Sequence, residues 1–91
     1  MGELAAPLTI LYFAWLRERI GASEERLVLP EGVATVGALI AWLQARGANY
    51  EAAFGTPGAA IRCAVNQAFA DPETKLQPGD EVAFFPPVTG G

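Results

Sequence analysis

The sequence predicts an α+β domain: a mixed sheet of about five strands packed on one main helix. Three observations predict it. Short runs rich in branched and aromatic residues fall near the start, the middle and the end of the chain. A single segment, beginning at Val36, carries a long apolar stripe at helical spacing. Turn residues separate the runs, as at Pro30-Glu31-Gly32, Asp71-Pro72 and Pro78-Gly79-Asp80. One helix stripe and one sheet face bury each other, which is a two-layer design.

Residues 1–7 read as a short disordered lead, and residues 8–85 as the folded domain. Residues 8–13 form the first strand, with Leu8, Ile10 and Tyr12 on one face and Thr9, Leu11 and Phe13 on the other. Both faces are apolar, so this strand is central, covered on one side and open to a partner on the other. Residues 15–20 make a short helix in which Leu16 and Ile20 stack one turn apart, and Gly21 ends it. Residues 25–29 alternate as a second strand. In the main helix Thr35 is the N-cap, because its hydroxyl accepts an orphan backbone N–H. Val36, Leu39, Ile40 and Leu43 form the stripe. Arg46 is expected in the last turn and Gly47 at a left-handed stop. Residues 48–60 are expected to be a loop, with one helical turn anchored by Tyr50 and Phe54. Residues 61–65 are a third strand, Asn66-Gln67 a tight turn, and residues 68–70 a short return. Residues 81–85 are the last strand, stopped by Pro86-Pro87, since neither proline donates to a ladder.

Composition narrows the function. With 91 residues, 52% of them hydrophobic, and a mean hydropathy of +0.26, the chain holds more apolar material than so small a core hides. Part of it is expected on a partner-binding face. The net charge is −4, and the six cations Arg17, Arg19, Arg26, Arg46, Arg62 and Lys75 are scattered. Nucleic-acid binding needs them clustered. Acidity suits a partner with a basic surface. One cysteine and no histidine exclude an intrachain disulfide and a Cys/His metal cluster, and remove the commonest general base. Cys63 alternates with Ile61 and Val65 and reads as a core residue. No run approaches a membrane span, and residues 1–7 lack the features of a signal peptide. The expectation is a cytoplasmic protein that binds no membrane, nucleic acid, metal or cofactor.

Residues 86–91 read as an extended tail, Pro86-Pro87-Val88-Thr89-Gly90-Gly91. Proline fixes φ and favours extended geometry, so the tail projects and loses little entropy on binding. Glycine has no Cβ, so Gly90-Gly91 fits a channel too narrow for side chains. Extended, such a tail reaches about 20 Å, into a neighbour's active site. A free carboxylate is a poor electrophile and needs activation, for example as an acyl-adenylate. Sulfide or an amine then displaces AMP, and sulfur yields a nucleophilic thiocarboxylate.

The order strand, strand, helix, strand, short strand, strand resembles the β-grasp fold of ubiquitin. That resemblance implies a last strand parallel to the first at the sheet centre. The stretch from Gly79 through Phe84-Phe85-Pro86-Pro87-Val88-Thr89-Gly90-Gly91 closely resembles the C-terminus of the sulfur-carrier subunits of molybdopterin synthases. Ala64-Val65-Asn66-Gln67, and Tyr12-Phe13-Ala14 followed by Leu16-Arg17-Glu18, are similar to that family too. The resemblance covers nearly all of the chain from Leu8; Trp15 and the leading residues depart from it without touching the chemistry. It implies a non-catalytic carrier in molybdenum cofactor biosynthesis. A ubiquitin-activating-type enzyme using ATP and Mg²⁺ would adenylate Gly91, and a sulfur donor system would convert it to the thiocarboxylate. The large synthase subunit would accept the tail, use the sulfur on a cyclic pyranopterin precursor and supply the catalytic side chains, in a hetero-oligomer. Phe13, Phe69 and Phe85 occupy positions that the family uses at partner contacts.

Rival readings are a carrier for thiamine or tRNA thiolation, a ubiquitin-like modifier joined to target lysines, and a binding domain with an inert tail. Carriers of the first kind usually lack the Phe-Phe-Pro-Pro-Val run. Lys75 is the sole lysine, which counts against a chain-building modifier.

Overall fold

A computed structural model of the protein describes residues 6–55 and 60–87. In chain order the elements are β1 (Leu8–Tyr12), α1 (Trp15–Ile20), β2 (Glu24–Leu27), α2 (Val36–Gln44), α3 (Ala48–Phe54), β3 (Arg62–Val65), β4 (Ala68–Ala70) and β5 (Glu81–Phe85). The five strands form one mixed sheet in the order β2-β1-β5-β3-β4. β5 lies at its centre, parallel to β1 and antiparallel to β3. The α+β class and the central parallel pair agree with the sequence expectation.

Strand alternation decides where the core sits. Leu8, Ile10 and Tyr12 of β1, with Val82 and Phe84 of β5, are at most 1% exposed. They meet Val36, Leu39 and Leu43 of α2 and Leu16 and Ile20 of α1 in one apolar cluster. Each such side chain contributes roughly 1.5–3 kcal/mol by leaving water. Phe84 stacks near Tyr12, centroids 6.2 Å apart, and takes the edge of Phe54 at 5.0 Å. Ile40, expected within the stripe, is only partly buried.

The start of α2 is closed by the chain itself. Thr35 Oγ1 accepts the Ala38 N–H at 3.2 Å, as expected of an N-cap. The Val36 and Gly37 N–H groups donate to the Thr74 and Pro72 carbonyls, 3.0 and 2.9 Å away. The loop before β5 therefore satisfies donors that a helix leaves open.

Three expectations are corrected beyond the end of α2. The segment from Ala48 holds a seven-residue helix rather than one turn in a loop. Tyr50, Ala53 and Phe54 fall on one side of it, Ala53 fully buried and Phe54 against Phe84. Gly47 is not a left-handed stop. Its φ of 177° is extended backbone, and it is the residue before α3, while Ala45 ends α2 in a right-handed conformation. The chain has to start a second helix at once, so it leaves no room for a terminal left-handed turn. Arg46 lies past α2 rather than in its last turn. The strands at 25–29 and 61–65 are each displaced or trimmed at their ends, a change within the usual fraying.

Candidate functional site

The parallel pairing of β1 and β5 brings their C-terminal ends to the same end of the sheet. Tyr12 lies opposite Phe84, and the Phe13 N–H donates to the Phe84 carbonyl at 3.1 Å. Pro86 and Pro87 follow at once, both half-buried. The described chain therefore ends directly after the most central strand, which is paired on both sides. Val88, Thr89, Gly90 and Gly91, expected to form the rest of the tail, lie outside the described residues, as do residues 1–5 of the expected lead.

The face of the sheet turned away from the core carries a second apolar band. Register places Leu11 opposite Ala83, Ala83 opposite Ala64, and Ala64 opposite Phe69. Alternation puts Phe85 on this face, since Phe84 points into the core. The rings of Phe69 and Phe85 are 6.1 Å apart and tilted by 47°. Phe69 is 81% exposed and Phe13 46%, while Phe85 is half-buried. Exposed Arg62 pairs with Phe85 across β3 and β5 and adds a charge beside the ring. The three aromatics expected at a partner contact thus stand outside the core, toward the C-terminal end of β5. Leu11, Ala64 and Ala83 complete the band; the period-2 pattern of three strands marks them, once the strands are set in register.

The Asn66-Gln67 turn holds the other end of β5. Both residues have positive φ, 51° and 71°, as the mirrored two-residue hairpin turn requires. Asn66 Nδ2 donates to Asp80 Oδ1 at 3.0 Å, and Asn66 Oδ1 accepts the Glu81 N–H at 3.0 Å. The Asn66 N–H donates to the Glu81 carbonyl at 2.8 Å. Asp80 Oδ2 in turn accepts the Gln77 N–H at 2.8 Å. One side chain therefore ties the β3–β4 turn to the first residue of the tail-bearing strand.

A polar cluster missed in the sequence braces the helix side. Glu25 Oε2 accepts hydrogen bonds from the Tyr12 and Tyr50 hydroxyls, at 2.7 and 3.0 Å, and Oε1 accepts one from Arg46 Nη1 at 2.9 Å. Burial works to raise the Glu25 pKa, but the hydrogen bonds from Tyr12, Arg46 and Tyr50 outweigh it and hold the carboxyl below its ordinary value of 4.5. Burial, then the Glu25 hydrogen bond, pushes Tyr12 far up, and the same two causes raise Tyr50. The Arg46 guanidinium stacks over the rings of Trp42 and Tyr50, 5.2 and 4.7 Å from their centroids. Residues 12, 25, 46 and 50 share no spacing that marks them in advance.

Cys63 lies on the core side opposite Phe84 and is 7% exposed. Burial pushes its thiol up to about 11, so almost none of it is thiolate at neutral pH. Among the described residues no group of three or more acidic, cysteine or histidine side chains is placed to hold a metal. No described helix is long and apolar enough to cross a membrane.

The sequence pattern of the ThiS family matches residues 10–91. The chain belongs to the ThiS family. It is 37% identical over 84 residues to the molybdopterin synthase sulfur carrier subunit of Haemophilus influenzae, covering 92% of this chain and 99% of that one. Among solved structures it is similar to the Pyrococcus furiosus protein named as molybdopterin converting factor, subunit 1. There the TM-score is 0.74 at 33% identity, over 92% of this chain and all of the other. It is also similar to SAMP1 (small archaeal modifier protein 1) of Haloferax volcanii, with a TM-score of 0.73 at 30% identity over 94% and 100% of the two chains. The proteins it resembles thus include one named as a sulfur carrier subunit and one named as a modifier.

Proposed function

We propose that this protein is a sulfur carrier of molybdenum cofactor biosynthesis, the small, non-catalytic subunit of a heteromeric molybdopterin synthase. One observation carries the reading. The central strand β5, paired on both sides, passes straight into Pro86-Pro87 and on to Gly90-Gly91. Overall likeness to a named sulfur carrier subunit supports it. The domain acts as a handle, and the Gly91 carboxylate is its reacting group.

The Gly91 carboxylate attacks the α-phosphorus of ATP in a ubiquitin-activating-type enzyme that uses Mg²⁺, and pyrophosphate leaves. Sulfide supplied by a donor system then adds to the acyl carbonyl, and AMP leaves with the bonding pair, giving the thiocarboxylate. With no side chain, Gly91 offers that carbonyl unhindered. The thiocarboxylate enters the large synthase subunit, where Pro86, Pro87, Val88, Thr89 and Gly90 form the inserted segment. Its sulfur passes to the cyclic pyranopterin precursor, and water restores the carboxylate. Two loaded carriers serve one dithiolene. Phe13, Phe69 and Phe85 dock on the partners, which hold the catalytic side chains. The reading expects a cytoplasmic carrier with no cofactor of its own.

The test is intact mass spectrometry after incubation with the activating enzyme, ATP and a sulfur donor. A sulfur-for-oxygen gain confined to Gly91 is expected, followed by molybdopterin formation when the large subunit and precursor are added. A terminus left unmodified under conditions that load a known carrier refutes the reading.

The likeness to SAMP1 favours a second reading, a protein modifier whose activated Gly91 is captured by lysines of other proteins. Isopeptide adducts that end in Gly90-Gly91 identify it, and a carrier produces none.

A further inference from the structure

The sheet ends in β2 on one side and β4 on the other, and the two edges differ. β4 has only three residues, and the chain turns away directly after it, where Thr74 Oγ1 accepts the Asp71 N–H at 3.1 Å. β2 is open for longer, and hydrogen bonds fix which of its groups face outward. On β1 the Thr9 and Phe13 N–H groups donate toward the β5 side, to the Asp80 and Phe84 carbonyls, whereas the Tyr12 N–H donates to the Ser23 carbonyl at 3.0 Å. Glu25 and Leu27 continue that second series, opposite Ile10 and Leu8. The main-chain groups of Glu24 and Arg26 therefore point away from the sheet. Among the described residues no segment pairs with them.

A row of unpaired main-chain groups is a template for another strand, and charged side chains usually guard it. The charges on β2 instead match themselves. Glu24 and Arg26 are exposed, opposite in sign, and share the open face of the sheet by alternation. Their contact within the strand is long, 4.0 Å from Arg26 Nε to Glu24 Oε2, and so exposed a pair holds little. A second copy of the strand, turned end for end about a two-fold axis through Glu25, sets its Arg26 opposite Glu24 and its Glu24 opposite Arg26. Both pairs use outward-pointing groups, so each exchanges two main-chain hydrogen bonds and faces opposite charges across the ladder. The same register brings Val28, 57% exposed, opposite Ala22 of the other copy. Glu25 meets its own counterpart at the axis, but its charge is already held by Arg46, Tyr12 and Tyr50. A shift by two residues in either direction sets Arg26 against Arg26 or Glu24 against Glu24, which repulsion disfavours.

We propose that two copies of this chain pair antiparallel through the outer edges of β2, in the register centred on Glu25, and so join their sheets. The axis is perpendicular to the sheets, an isologous arrangement. It leaves the apolar bands of both copies uncovered on one side and runs the two β5 strands in opposite directions. An interface this small is transient, so the dimer forms in proportion to concentration. The pairing does not rest on the carrier reading.

The experiment is sedimentation equilibrium over a concentration series, with wild type, Glu24→Arg, Arg26→Glu, the double swap and an equimolar mixture of the two single swaps. Wild type is expected to dimerise. Each single swap sets like charges opposite one another in both pairs and should raise the dimer dissociation constant about tenfold or more. The mixture restores opposite charges and should form a heterodimer, and the double swap should dimerise as wild type does. Thermal midpoints should stay near wild type, because both side chains are exposed. A wild type that remains monomeric at millimolar concentration overturns the proposal, and so do single swaps that dimerise like wild type. A mixture that pairs no better than its components, with both folded, overturns it too. If a single swap lowers the midpoint, the folded double swap decides: dimerisation supports the register, and a monomer refutes it.

Discussion

The two faces of the central sheet are built from the same strands and both carry apolar side chains, yet only one is covered. On the helix side Ile10, Tyr12, Val82 and Phe84 are sealed from water by α1, α2 and α3. On the other side Leu11, Ala64, Ala83, Phe69 and Phe85 form a band in which Phe69 is 81% exposed. Phe84 and Phe85 are adjacent in sequence and differ only in the face that alternation gives them. The lesson is that hydrophobicity alone does not separate residues that fold this domain from residues available to a partner. Strand register and helix coverage do.

The sharpest way to break the comparison is Phe84→Ala. Phe84 is fully buried between Tyr12 and Phe54, so the variant should lose about 3–5 kcal/mol of stability in urea denaturation. A loss no greater than that of Phe85→Ala would erase the distinction between the faces.

The next effect concerns the brace on the core side. Because Glu25 titrates below its ordinary value in the folded state, its contribution is full above the unfolded value of 4.5 and disappears as pH falls through the lower folded value. Urea midpoints should therefore drop on acidification through and below that range. Glu25→Gln should flatten this part of the profile and cost about 1–3 kcal/mol at neutral pH, by leaving the Tyr12, Tyr50 and Arg46 donors poorly matched. An identical acid profile in the variant would remove Glu25 from the account.

A smaller cost is expected at the foot of β5. Asn66→Ala removes both side-chain hydrogen bonds and leaves a residue with a Cβ at φ 51°, so it should lose about 1–2 kcal/mol by thermal or chemical denaturation. Asn66→Gly, which meets the backbone demand without the hydrogen bonds, should recover part of that loss. Equal losses would assign the whole effect to the side chain.

On the open face the expectation reverses. Phe69→Ala should change stability by no more than about 0.5 kcal/mol. Its affinity for the large subunit, read by calorimetry, should fall by more than about 1 kcal/mol. A destabilised variant with wild-type affinity would make the band part of the fold instead. The smallest effect belongs to Cys63→Ser: once folded, it should accept sulfur at Gly91 as wild type does, because the thiol is buried and protonated. Failure of a folded serine variant to load would give Cys63 a part in the transfer.

Much of the architecture was legible because local rules agree with it. Thr35 caps α2, Gly21 ends α1 at φ 90°, and Asn66-Gln67 turns the β3–β4 hairpin, each for a reason contained within a few residues. The segment from Ala48 was harder to read because Gly47 has two local uses. A glycine after a helical stripe can end that helix or begin the next, and its neighbours in sequence do not distinguish them. Arg46 was misplaced for a related reason. Its partner is Glu25, twenty-one residues away, and that contact exists only once β2 and the α2–α3 corner meet.

The sequence by itself determined the alternation of β1 and β5, the N-cap of α2, and a C-terminal stretch of two prolines and two glycines whose chemistry follows from residue type. These depend on bonds, spacing and the presence or absence of a side chain, all of them local. Only the tertiary structure decided which apolar face is covered and that Glu25 gathers Tyr12, Arg46 and Tyr50. Those outcomes depend on the packing of segments distant in sequence, and no short-range pattern encodes the meeting of such segments.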